Sequence, residues 1–150
     1  MLKEIFVTTV LISIFNQANC ITNQTNTIKI HANKKDFIDG DKLVIDQCLV
    51  EDSSIKSANG EFFLIMEKNG NLVIYATNQK VPIWATNTDK TGGKRVCMQA
   101  DSDFNMYSHS NTLIWSSKTK GLNGTYVKLQ NNGKLEMFTK ADKKVWETKK

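Results

Sequence analysis

The chain is poor in the residues that mark several common classes of protein. It has 150 residues with one proline, two histidines and one arginine, Arg95. Two isolated histidines, His31 and His109, cannot make a His-rich metal site. A single arginine leaves no arginine stripe, so a formal net charge of +5 gives no support to nucleic-acid binding. No Ser/His/Asp order or phosphate loop stands out, and Gly92-Gly93-Lys94-Arg95 lacks the spacing of a P-loop. No cofactor, metal or enzymatic activity is expected. No apolar run approaches the about 20 residues that span a bilayer, so no membrane span is expected. No stretch keeps a helical period for three turns.

The longest apolar run, Ile5 to Phe15, follows Met1-Leu2-Lys3-Glu4 and precedes Asn16-Gln17-Ala18-Asn19-Cys20. A weakly basic start, a short hydrophobic region and small residues near a cleavage point describe a secretory leader over residues 1–20. The mature chain is then extracellular and starts near Ile21 with an Asn-, Thr- and Lys-rich extension over residues 21–40. That extension has no clear period beyond a short strand around Thr27 to His31. In an oxidising compartment, Cys48 and Cys97 either form one disulfide or stay as two buried thiols. Asn23-Gln24-Thr25 and Asn123-Gly124-Thr125 are glycosylation sequons, used where the host glycosylates.

What the sequence does have is a repeat. Trp84, Trp115 and Trp146 are spaced by 31 residues, and each follows an aromatic, Tyr75, Tyr107 or Phe138, at a near-constant offset. Each aromatic ends a similar segment: Met66-Glu67-Lys68-Asn69-Gly70-Asn71-Leu72-Val73-Ile74-Tyr75, then Met98 to Tyr107, then Leu129 to Phe138. Within each unit a strand runs into a turn, a second strand, another turn and a third strand. Lys68-Asn69-Gly70-Asn71 and Asn131-Asn132-Gly133 are hairpin signals. Alternation sends Leu72 and Ile74 to one face and Asn71, Val73 and Tyr75 to the other. Pro82 in Val81-Pro82-Ile83-Trp84 marks a strand start or an edge. Ahead of the repeats, Asp41 to Ile45 and Ser54 to Ser57 predict one further strand or two. The fold is all-β, with about a dozen short strands in three sheets. A unit of 31 residues cannot bury its own apolar face, so three must share one core, with the tryptophans at its centre.

The repeated segment resembles the carbohydrate-recognition signature of the bulb-type (monocot-type) mannose-binding lectins, Gln-x-Asp-x-Asn-x-Val-x-Tyr. Ser57-Ala58-Asn59-Gly60-Glu61-Phe62 and Pro82-Ile83-Trp84-Ala85-Thr86-Asn87-Thr88 resemble the same family, and the likeness covers residues 41–150. It implies a β-prism II of three four-stranded antiparallel sheets with pseudo-threefold symmetry and up to one mannose site per sheet. The signature positions fall on Glu67, Asn69, Asn71, Val73 and Tyr75 in unit one. They fall on Gln99, Asp101, Asp103, Asn105 and Tyr107 in unit two. In unit three they are Gln130, Asn132, Lys134, Glu136 and Phe138, of which only Gln130 matches the family pattern.

The chemistry ranks these units. Mannose hydroxyls both donate and accept, and spacing by two along a strand puts the amides, carboxylates and phenol that meet them on one face. A shallow site binding at about 1 mM has only about −4 kcal/mol, and each lost hydrogen bond removes about 0.5–1.5 kcal/mol. Unit three, without the phenol and with Lys134 and Glu136, is not expected to bind. Unit one keeps one acid and one amide, exchanged between Glu67 and Asn69, and is the main candidate. In unit two, Asp103 beside Asp101 predicts charge repulsion. Those two carboxylates are too few for a cation site and flank a flat surface rather than a glycosidase cleft. The expected function is a secreted lectin binding mannose-type glycans or glycoproteins weakly, with homo-oligomers as a route to avidity. The alternative is a β-prism scaffold that has lost sugar binding and acts through protein or microbial-surface contacts.

Overall fold

The computed structural model describes residue 38 and residues 40–149. The leader, most of the extension with its expected Thr27–His31 strand, and Asn23 lie outside the described residues. The strands in chain order are β1 (Lys42–Val44), β2 (Cys48–Val50), β3 (Ser54–Lys56), β4 (Phe62–Met66), β5 (Leu72–Ala76) and β6 (Pro82–Ala85). They continue with β7 (Gly93–Met98), β8 (Phe104–Ser108), β9 (Leu113–Ser116), β10 (Gly124–Leu129), β11 (Leu135–Thr139) and β12 (Lys144–Glu147). They form three four-stranded antiparallel sheets, the β-prism II arrangement. The first sheet has the order β3-β4-β5-β6, the second β2-β7-β8-β9 and the third β1-β10-β11-β12.

Each 31-residue unit supplies three consecutive strands, and the fourth comes from the segment ahead of the repeats. That segment holds three strands where one or two were expected. The one missed, Cys48-Leu49-Val50, is as short as β1 and β3 but has no polar residue to display an alternation, and its place is set by pairing with β7. Pro82 stands at the start of β6, an edge strand with no neighbour to receive an N–H, as a proline requires.

The register explains the period. One inward residue from each strand lines up across a sheet: Ile55, Leu64, Ile74 and Trp84 in the first. Leu49, Val96, Met106 and Trp115 line up in the second, and Leu43, Val127, Met137 and Trp146 in the third. All members of these rows except the tryptophans are fully buried. The tryptophans are not the centre of the core. They are half-buried, close each row on its edge strand and pack against the aliphatic cluster from its rim. Trp115 meets Trp84 and Phe104 edge-on, with ring centroids 6.2 and 6.4 Å apart. An indole is too large to sit with its symmetry mates on a narrow axis, so Leu, Ile, Val and Met fill that space.

Cys48 and Cys97 are directly opposed on β2 and β7 and form a disulfide, which settles the open alternative. It ties a three-residue edge strand to its sheet across a sequence separation of 49.

Candidate functional site

The alternation that sends Ile74 inward sends Val73 and Tyr75 to the opposite face of the first sheet, beside the β4–β5 turn. There the first unit's side chains join in one row. The Tyr75 hydroxyl donates to Glu67 Oε1 at 2.9 Å, and Asn69 Nδ2 donates to Glu67 Oε2 at 2.9 Å. Asn69 Oδ1 in turn accepts the Asn71 backbone N–H at 2.9 Å. The Tyr75 ring stacks on Phe63 with centroids 5.4 Å apart. Burial, and then the hydrogen bond to the Glu67 carboxylate, raise the Tyr75 phenol above its usual range, so it stays a donor at neutral pH. The exchanged acid and amide therefore still connect. Val73 is only 2% exposed and offers a ring little apolar surface.

Asn71 does a second job. Its Oδ1 accepts from Thr86 Oγ1 at 2.9 Å and from the Thr88 N–H at 3.2 Å, which pins the chain leaving β6. Asp103 does the same in unit two with more partners. Oδ1 accepts from Ser117 Oγ, the Thr119 N–H and Thr119 Oγ1 at 3.0, 3.0 and 3.3 Å, and Oδ2 from Ser116 Oγ at 2.7 Å. Burial pushes the Asp103 carboxyl up, but the Thr119 N–H and the three hydroxyls outweigh it and hold it below the ordinary carboxylate range. Asp101 bonds the Asp103 N–H at 3.1 Å and pairs with Lys120 at 3.3 Å. The expected repulsion between the two acids is thus relieved, because each is neutralised by a separate set of donors.

Elsewhere in unit two, Asn105 Nδ2 points at the Tyr107 hydroxyl at 3.4 Å, while its buried Oδ1 has no partner among the described residues. Arg95 lies over the Tyr107 ring, 5.2 Å from its centroid. Gln99 is half-buried and makes no side-chain hydrogen bond among the described residues. Unit three is filled by its own charges. Glu147 accepts from Lys134 and Lys144, both at 2.6 Å, and Glu136 accepts from Lys144 at 3.1 Å. The Lys134 hydrogen bond first, then that from Lys144, bring the Glu147 carboxyl down to about 2. Phe138 stacks on Tyr126, whose hydroxyl goes to Asp142 at 2.7 Å.

The staple residues Thr86, Thr88, Ser116, Ser117 and Thr119 were not among the sequence candidates. Their signal is present all the same: a Ser or Thr stands two residues after every tryptophan, and Thr88 and Thr119 stand four after the first two. Among the described residues, no group of three or more His, Cys, Asp or Glu could hold a metal ion. Asn123, the one sequon within the described residues, is exposed.

No family model matches the chain. The B-type lectin plumieribetin of Scorpaena plumieri is 40% identical over 57 residues, 38% of this chain, and the match spans 48% of that lectin's length. The mannose-specific agglutinin of snowdrop (Galanthus nivalis) bulbs, solved with methyl-α-D-mannoside, is 30% identical with a TM-score of 0.60. That match covers 71% of this chain and 93% of the snowdrop chain. A Marasmius oreades lectin shares the fold at a TM-score of 0.68 and 22% identity, over 75% of this chain and 92% of its own.

Proposed function

Because the chain belongs to the bulb-type lectin family, a family of carbohydrate-binding proteins and not of enzymes, we propose that it is a secreted lectin recognising mannose-type glycans weakly, mainly through the first sheet. The observation that carries this reading is the Glu67 row. One carboxylate holds the Tyr75 phenol and the Asn69 amide in place, on the face where the family signature lies. Preorganised polar groups cost less ordering when a sugar arrives. Capacity remains after these internal bonds, since the Tyr75 oxygen can still accept and Asn71 Nδ2 has no partner among the described residues. In unit two Asp103 is engaged on both oxygens, and in unit three Lys134 and Glu136 are ion-paired. One working site per chain makes avidity depend on several copies displayed together. The disulfide supports passage through an oxidising compartment, and with it a leader over residues 1–20.

The test is a glycan array of the mature chain beside Tyr75→Phe and Glu67→Ala variants. High-mannose signal lost in both variants supports the first sheet as the site. Asn71→Ala is a poor probe, because it also removes the brace on Thr86 and Thr88. Absence of signal on every glycan, from folded and multivalently displayed protein, leaves the scaffold reading instead.

A further inference from the structure

The outward residue that precedes the tyrosine by two is Val73 on the first sheet and Asn105 on the second. Val73 is apolar and 2% exposed, whereas Asn105 is 7% exposed and its buried Oδ1 receives no hydrogen bond from any described residue. Its Nδ2 reaches the Tyr107 hydroxyl only at 3.4 Å, the outer limit of a hydrogen bond, so little holds the amide against turning about its Cβ–Cγ bond. A buried acceptor without a donor lowers stability, and an apolar side chain at the same place, as on the first sheet, avoids that cost. Departures of this kind concentrate at functional sites. The surroundings narrow what the missing donor is. Register sets Asn105 between Cys97 and Ser116. The Ser116 hydroxyl is committed to Asp103 Oδ2 at 2.7 Å, and Cys97 is held in the disulfide with no S–H to give. The Tyr107 hydroxyl donates to no described residue, and the Gln99 side chain has no partner among them. One acceptor that lacks a donor thus lies beside two groups free to donate and the sulfurs of a disulfide.

We propose that the second sheet carries a saccharide site of its own, selective for sugars that bear an acetamido group, with Asn105 as the residue that sets the selection. The site rests on the lectin reading for its ligand being a sugar, and differs from the Glu67 row in place and in ligand class. An acetamido N–H donates to Asn105 Oδ1. Its carbonyl, on the opposite side of the planar amide, accepts from Gln99 or from the Tyr107 hydroxyl. Its methyl group lies against the Cys48–Cys97 disulfide. A sugar hydroxyl brings a donor but no carbonyl and no apolar group, so it answers only one of these three features. On the first sheet the same acetamido N–H would meet Val73 and be buried without an acceptor, which makes the two sheets select different sugars. Asp101 and Asp103, the acids nearest in sequence, are already held by Lys120 and by the Ser116, Ser117 and Thr119 donors, so a neutral ligand suits this face.

The test titrates N-acetyl-D-glucosamine, N-acetyl-D-galactosamine and D-glucose into the isotopically labelled mature chain and follows it by NMR. Saturable shifts at Gln99, Asn105 and Tyr107 are expected at roughly millimolar concentration of at least one acetamido sugar. Glucose, which lacks the acetamido group, should bind there about 2–10-fold more weakly, the effect of one lost hydrogen bond. Asn105→Val should weaken the acetamido sugar by a similar factor while the melting temperature holds or rises, because the unpaired acceptor has gone. A purely structural asparagine would instead lower the melting temperature and leave binding as it was, which overturns the proposal. So does the lack of any shift at these residues with either acetamido sugar, or equal binding of glucose. Both of those readouts use the unmutated protein. Methyl-α-D-mannoside in a parallel titration reports at Glu67 and Tyr75, so failure of the first-sheet site and failure of this one are read at different residues.

Discussion

The Tyr75 hydroxyl donates to Glu67 across 2.9 Å, joining the last and first positions of a nine-residue motif. The bond is possible because the β4–β5 hairpin folds position one back alongside the strand that carries position five. Tyr75→Phe leaves the ring and its stacking on Phe63 in place while removing the donor. Affinity for methyl-α-D-mannoside should fall about 2–10-fold, with the melting temperature nearly unchanged. Isothermal titration and thermal unfolding on one preparation separate the two effects.

Asp103 and Asn71 occupy equivalent positions and brace equivalent linkers, which makes their substitutions predictable. Asp103→Asn keeps an oxygen facing Thr119 and should cost less than about 1 kcal/mol, whereas Asp103→Ala strands the buried Thr119 N–H and should cost about 2 kcal/mol. Chemical denaturation of the two variants measures the difference. The folded carboxyl lies below its unfolded value, so this contribution is present above the ordinary Asp range and is lost as pH falls through the folded pKa.

The third sheet makes the protein sensitive at both ends of the pH scale. Glu147 sits at about 2 when folded, so the stability it lends is present above 4.5 and is lost as pH falls from 4.5 towards 2. Tyr126 is pushed up to about 12, by burial first and then by its bond to Asp142. Its contribution is complete below about 10 and is lost as pH rises from 10 to 12. Glu147→Gln should flatten the acid limb of a melting-temperature profile, and Tyr126→Phe the alkaline limb.

Reduction of Cys48–Cys97 releases β2 from β7. A loop with a sequence separation of 49 corresponds to about 4 kcal/mol of lost chain entropy in the unfolded state. A Cys48→Ala/Cys97→Ala variant should therefore melt well below the oxidised protein, by about 10 °C or more. Calorimetry of the two forms checks this.

Gly70 holds φ at +94°, and a Cβ there would lie 2.9 Å from the Gly93 backbone nitrogen. Gly70→Ala should cost at least about 2 kcal/mol, because both the conformation and the contact forbid the methyl. Gly60, with φ of +71° but open space around it, should lose only the conformational part. Comparing the two alanine variants by denaturation separates strain from collision.

The repeat arithmetic made much of this fold readable. Strand alternation placed Ile74 inward and Tyr75 outward, and the tryptophan period marked the third strand of each unit. Less was readable where one residue serves two ends. The lectin signature presents Asn71 and Asp103 as sugar contacts, yet their oxygens brace Thr86, Thr88, Ser117 and Thr119, which are distant in sequence and joined only by the fold. β2 was hidden because Cys48-Leu49-Val50 has no polar residue to alternate with its apolar ones, and the rim position of the tryptophans by the fact that periodicity reports a face and not a depth.

The three strands that precede the repeats are the first of the described strands to be synthesised, and each must wait for a different part of the chain. β3 finds β4 almost at once, β2 must wait for β7, and β1 pairs Leu43 with Val127. Until β10 has emerged, Lys42–Val44 is a bare edge with backbone groups open to any other strand. Folding is thus governed by contacts between distant segments and should be slow for a chain of this size. The price of threefold symmetry in one polypeptide is a nascent chain whose first described strand stays exposed until the third repeat has been made.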